Sequence, residues 1–218
     1  MPAQDLVFQA KQYLESFGTN LTGAQQYRDG ASKIKRDAHT LSAVTLMLAH
    51  DEKQNALKPN AAAIINASQE LAKAKEYEAA KVAYEKLGNA VNAAPSGEQA
   101  ATPQWGKVAS MGQLMKQVVL LNNRLKRGLR RFDRQRDELA RDAAVLAAIG
   151  QTIVYDTHEV KDPEQTENWY QLCGEMRDIA GELNAKVHAA DKAGAEAALL
   201  KLAQNCDDCH KAFRTDEK

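Results

Sequence analysis

Long apolar runs are missing from this chain, and so is any excess of charge of one sign. Without a stretch of about 18 apolar residues, no membrane-spanning helix is expected. Basic and acidic residues balance at 29 each, which leaves neither nucleic acid nor an anionic membrane an electrostatic footprint to recognise. Aromatic residues make up 6% of the chain and prolines number five in 218 residues. With alanine abundant, that composition gives little reason to expect sheet and predicts an all-α fold, long enough for two small domains. Met1 to Tyr13 lack the charged-then-apolar pattern of a secretion signal.

Cysteine is scarce as well, with three in the chain, yet two of them carry the main signal. Cys206-Asp207-Asp208-Cys209-His210 has the spacing that covalent attachment of a c-type haem requires: two thiols to add across the vinyl groups, and an adjacent imidazole for the iron. A thioredoxin-like redox pair belongs just after a strand, whereas this motif closes an Ala/Leu-rich helical segment. A structural zinc site needs four ligands, and no second C-x-x-C or H-x-x-x-H completes one. The third thiol, Cys173, stands beside an apolar stripe and reads as a small buried hydrophobe. His39, His50, His158 and His188 have no partner at ligand spacing, so one haem c is expected.

Periodicity supplies the setting. Ala195, Leu199, Leu202, Cys206, Cys209 and Phe213 recur at steps of four and three, the stripe of a helix facing a core. The same stripe runs through Val108, Met111, Met115, Val118 and Leu125, through Leu139, Ala143, Leu146 and Ile153, and through Trp169, Leu172, Met176, Ile179 and Leu183. Breaks are expected at Gly128 and the charged run after it, from Asp156 to Pro163, and from His188 to Gly194. Four such helices with short connections form an up-down-up-down bundle, in which the end of the fourth lies beside the beginning of the first.

Read as C-x-x-C-H-x-x-F-R at the end of a four-helix pattern, Cys206 to Arg214 resembles the cytochrome c prime family, including its low-spin, Met-ligated relatives. The resemblance covers roughly residues 105 to 215. It implies attachment at Cys206 and Cys209, His210 as proximal ligand and a distal residue on the first helix, where Met115-Lys116 matches the Met-Lys of the low-spin members. The family often has Arg four residues earlier, where this chain has Met111, itself an alternative ligand one turn away. Phe213 is expected to pack near the haem, and Arg214 to neutralise a propionate or to be a solvated end. Because haem is attached outside the inner membrane in this family, a periplasmic or otherwise exported protein is implied, with a signal peptide no longer present.

The first half looks like a second copy. Arg36-Asp37-Ala38 pairs with Arg141-Asp142-Ala143, and Glu85-Lys86-Leu87 with Leu200-Lys201-Leu202. On that register Val91, Ala94 and Pro95 stand opposite Cys206, Cys209 and His210, so the first copy has lost its attachment residues. The expected organisation is a haem-free bundle over 1–95, a Pro/Ser/Gly-containing linker over 96–104, and a haem bundle over 105–218, the two bundles packing as an intrachain pseudo-dimer. The stripe Ala80, Tyr84, Leu87, Val91 and Ala94 is expected to close the first bundle. The basic stretch from Arg124 to Arg136, interleaved with Asp133 and Asp137, reads as a solvated, salt-bridged helix end rather than a docking surface.

Three functions follow as alternatives. The first is a periplasmic mono-haem electron carrier with His210 and Met115 as axial ligands. The second is a five-coordinate protein that binds nitric oxide or carbon monoxide, and the third an interaction module docking to a larger redox complex. None requires a catalytic acid, base or nucleophile, so an enzyme is not expected; the redox partner is left open.

Overall fold

The computed structural model describes residues 3–94 and 105–214. All regular structure among them is helical, as the low aromatic and proline content led one to expect. The linker assigned to 96–104, and Pro95, lie outside the described residues. The chain divides into two compact units, Pro2–Gln117 and Val118–Lys218. The division falls inside a helix, and the second unit starts thirteen residues beyond 105, where the periodicity placed the start of the second bundle.

The first unit contains α1 (Ala3–Asn20), α2 (Ala24–Ala49), α3 (Ala61–Lys73) and α4 (Tyr77–Asn92), each packed on its neighbour in the chain, with α1 also meeting α4. Leu41, Leu46, Leu48, Ile64, Ile65 and Leu87 are fully enclosed, each contributing roughly 1.5–3 kcal/mol by leaving water. On α4 the buried positions are Ala80, Ala83 and Leu87; Tyr84 and Val91 are half-buried, and Ala94 is exposed beyond the helix end. The stripe expected to run on to Ala94 therefore stops at the last turn of α4.

Residues 105–117 complete this unit. Val108 is enclosed against Leu46 and Ile65, with Trp105 and Ala109 around it. The Trp105 ring stacks on His50 at 5.2 Å, and the Ser110 amide donates to His39 Nδ1 at 3.3 Å. Gln117 Nε2 donates to the Tyr13 hydroxyl at 3.1 Å.

The second unit holds the remainder of α5 (Met111–Gly128), then α6 (Phe132–Val154), α7 (Thr166–His188) and α8 (Lys192–Phe213). The breaks lie at the places the sequence marks. A short 3₁₀ turn over Leu129–Arg131 follows Gly128, although the charged run beyond it belongs to α6, whose backbone departs from helical angles at Gln135. A second 3₁₀ turn starts at Pro163.

Small residues set the closeness of α6 and α7. Ala143, Ala144, Ala147 and Ala148 are buried in succession, and a Cβ placed on Gly150 would come within 2.7 Å of the Arg177 backbone nitrogen. The α7–α8 turn fixes the register of the next pair. Ala190 takes the left-handed conformation at φ 57°, the Asp191 amide returns to the Lys186 carbonyl at 2.9 Å, and the Asp191 carboxylate accepts from the Gly194 amide at 2.8 Å. One residue thus ends α7 and the next caps α8.

The paired Arg-Asp-Ala motifs occupy corresponding places. Asp37 in α2 and Asp142 in α6 are both buried, and each opens a run of enclosed residues. Their partners differ: Asp37 pairs with Lys33 and Arg36 on its own helix, Asp142 with Arg124 on α5.

Candidate functional site

The five-residue motif lies within the last two turns of α8, whose end is marked by the Arg214 amide donating to the His210 carbonyl at 3.0 Å. A helix repeats every 3.6 residues, so Cys206 and Cys209 fall on adjacent turns of one face. Both are half-buried and free, while His210 beside them is exposed.

Two contacts clamp this part of α8 to α7. Below the thiols, Asn205 Nδ2 donates to the Leu172 carbonyl at 3.1 Å and lies 3.3 Å from Glu175 Oε2. Above them, the Phe213 ring meets the Trp169 ring edge-on at 5.1 Å, and Trp169 Nε1 donates to the Ile153 carbonyl at 3.2 Å. In antiparallel helices, these fixed points one turn either side bring Cys209 level with Cys173.

The electrostatics of the thiols agree with that register. Hydrogen bonding to Cys209, reinforced by burial, pushes the Cys173 thiol far above the ordinary cysteine value. The same bond holds Cys209 below its ordinary value against the opposing effect of burial. Burial raises Cys206, as does the neighbouring Cys209 charge, while a hydrogen bond from Asn122 of α5 works the other way. The Asn122 amide oxygen is buried without a hydrogen-bond partner, an arrangement that ordinarily costs about 1–3 kcal/mol.

The assigned residues are distributed as follows. Cys206, Cys209, His210 and Phe213 share the end of α8, with Phe213 buried and Arg214 exposed at the cap. Met115 is half-buried at the edge of the α5 stripe, which is formed by Met111, Leu114, Val118, Leu121 and Leu125. Met111 and Met115 belong to the part of α5 that groups with the first unit. Asn122, two helical turns further on, and Lys126 beyond it are the α5 residues whose effect reaches the Cys206 thiol.

Cys173 is buried, as its place beside the stripe led one to expect, and the register of α7 against α8 sets it level with Cys209. A signal for this existed: Cys173 precedes Ala190 by 17 residues and Cys209 follows it by 19, so a tight turn there folds one onto the other. Asn122 left no comparable trace, because an asparagine on a helix is ordinarily solvated.

The basic stretch, read from the sequence as a solvated, salt-bridged helix end, borders a cavity and contains an ion pair. A cavity of about 540 Å³ is lined by Arg124, Arg127, Arg130 and Arg131 together with Glu138 and Asp142. Arg124 grips the Asp142 carboxylate through Nε at 2.8 Å and a second nitrogen, so one of the four positive charges is already neutralised. None of the three cysteines lines this cavity.

Among the described residues no group of three or more His, Cys, Asp or Glu side chains is arranged to hold a metal ion. A haem asks less of the protein, since its own ring supplies four nitrogens to the iron and the chain adds axial ligands. Nor is any described helix long and apolar enough to cross a membrane. No family model, curated protein or solved structure matches this chain.

Proposed function

We propose that this chain is a mono-haem c-type cytochrome that carries electrons. The observation that supports it is the accessible C-x-x-C-H face at the end of α8: two free, half-buried thiols on successive turns with an exposed imidazole one residue on. The residues fit the group. Cys206 and Cys209 would hold it by thioethers and His210 would ligate the iron, while the unpartnered Asn122 oxygen beside Cys206 offers a polar contact that the protein leaves unused. The bound group would supply one-electron exchange at a potential set by its axial ligands and its burial.

The protein's part is to hold that face still. The Trp169–Phe213 pair encloses the last turn of α8, and Asn205 fixes its height on α7, so His210 projects from a helix that is anchored on both sides of the thiols. Met115 as sixth ligand, Arg214 as propionate partner, and export to the periplasm rest on the resemblance of Cys206–Arg214 to the cytochrome c prime family.

Expression in cells competent in cytochrome maturation, followed by acid–acetone extraction and intact mass measurement, tests attachment. We expect the haem to stay with the protein and to add one haem to its mass; an apoprotein mass with free haem in the solvent would refute the reading. The spectrum of the reduced protein then separates its two forms. A six-coordinate spectrum that becomes five-coordinate and carbon monoxide-sensitive in Met115→Leu supports electron transfer, whereas a five-coordinate spectrum in the unaltered protein favours gas binding.

A further inference from the structure

The third cysteine takes no part in the proposed haem attachment. We infer that Cys173 and Cys209 are a disulfide site of the haem-free chain, so that Cys173 competes with haem for the second attachment thiol.

The placement follows from four fixed points on two helices. Asn205 meets Leu172 and Phe213 meets Trp169, and between these contacts Cys209, one turn before Phe213, comes level with Cys173, one turn after Trp169, on the facing sides of α8 and α7. Further along, Lys201 reaches Glu182 at 3.3 Å, which continues the same antiparallel register toward the turn. Neither helix can slide without breaking the Asp191 cap and the Trp169–Phe213 contact. The two cysteines are therefore held at one level on neighbouring helices in the folded state, and bonding them requires no sliding of either helix.

The chemistry is thiol–disulfide exchange with a disulfide-bearing oxidoreductase or oxidised glutathione. The Cys209 thiolate attacks the donor disulfide, forming a mixed disulfide and releasing one donor thiol. Cys173, after losing its proton, attacks the Cys209 sulfur and releases the second donor thiol. Two electrons pass from the two cysteines to the donor, whose sulfurs take up the two protons, and one S–S bond is exchanged for another. Cys206 is left free, and Cys209 is unable to add to a vinyl group until the bond is reduced.

The blocking consequence rests on the haem reading; the disulfide itself does not. The haem-free full chain, equilibrated with a glutathione redox buffer, is alkylated and digested with trypsin without reduction. Cleavage yields residues 162–177, which carry Cys173, and 202–211, which carry Cys206 and Cys209. We expect these two peptides joined, with fragment ions between Asp207 and Asp208 assigning the bond to Cys209, and the joined species lost in Cys173→Ser. A Cys206–Cys209 bond alone, or three alkylated thiols at every buffer ratio, would overturn the inference. Circular dichroism of Cys173→Ser checks that the variant folds. In the maturation-competent strain, a several-fold higher haem content of Cys173→Ser when the reductant supply is limited reads out the competition. Equal haem content with the joined peptide present would overturn the competition and leave the bond, while absence of haem from both proteins would sink the haem reading instead.

Discussion

A single carboxylate in α6 shows how burial can outweigh an ion pair. Asp142 has a salt bridge to Arg124, yet its pKa rises from 3.8 to about 6, because burial dominates over the attraction of Arg124. Between those values the folded protein keeps a proton that the unfolded chain has lost. Stability therefore falls as pH rises through roughly 4 to 6, and at neutral pH the whole cost applies, on the order of 3 kcal/mol. Such ion pairs often stabilise less than a neutral replacement. We expect Asp142→Asn to be more stable than the parent by about 1–3 kcal/mol at pH 7, with the gap closing near pH 4. Urea titrations at the two pH values measure it, and a less stable variant at pH 7 would mean that the Arg124 bond outweighs burial.

At the scale of the elements, the α6–α7 contact depends on one missing side chain. Alanine favours helix over glycine by about 1 kcal/mol, so propensity alone says Gly150→Ala should stabilise. The atom such a Cβ would meet is the Arg177 backbone, at 2.7 and 2.9 Å, and backbone in a packed helix cannot swing aside. Overpacking of this kind costs typically about 1–3 kcal/mol, so we expect Gly150→Ala to lower the melting temperature. Gly181→Ala, in α7 with no atom near its would-be Cβ, should raise it. If both substitutions stabilise, the helices have room that this packing denies them.

The whole molecule divides at Gln117 and Val118 rather than at the proline-containing linker. The segment between belongs to the first unit through Val108 under Leu46 and Ile65, through Gln69 Nε2 donating to the Val108 carbonyl at 3.0 Å, and through the Gln117–Tyr13 bond. Burying Val108 alone contributes roughly 1.5–3 kcal/mol. A fragment of residues 1–117 should therefore unfold at distinctly higher urea than one of residues 1–101. Coincident unfolding curves would show that residues 102–117 add nothing to the first unit.

The amino-acid sequence by itself determined the helices, their breaks and the C-x-x-C-H spacing. These depend on short-range physics: the three-and-four spacing of apolar residues, breaks at Gly128, at Pro163 and from His188 to Gly194, and two thiols one turn apart. The α8 stripe is legible for the same reason, since all its members lie on one rigid element. Tertiary structure alone decided the rest. Where Val108 is buried, that Cys173 comes level with Cys209 and that Gly150 admits the Arg177 backbone all depend on the register between helices. That register is set by the angles of a few turn residues and by side-chain volumes summed over whole interfaces. Periodicity within one helix says which face turns inward, but it carries no coordinate along the axis of the neighbouring helix.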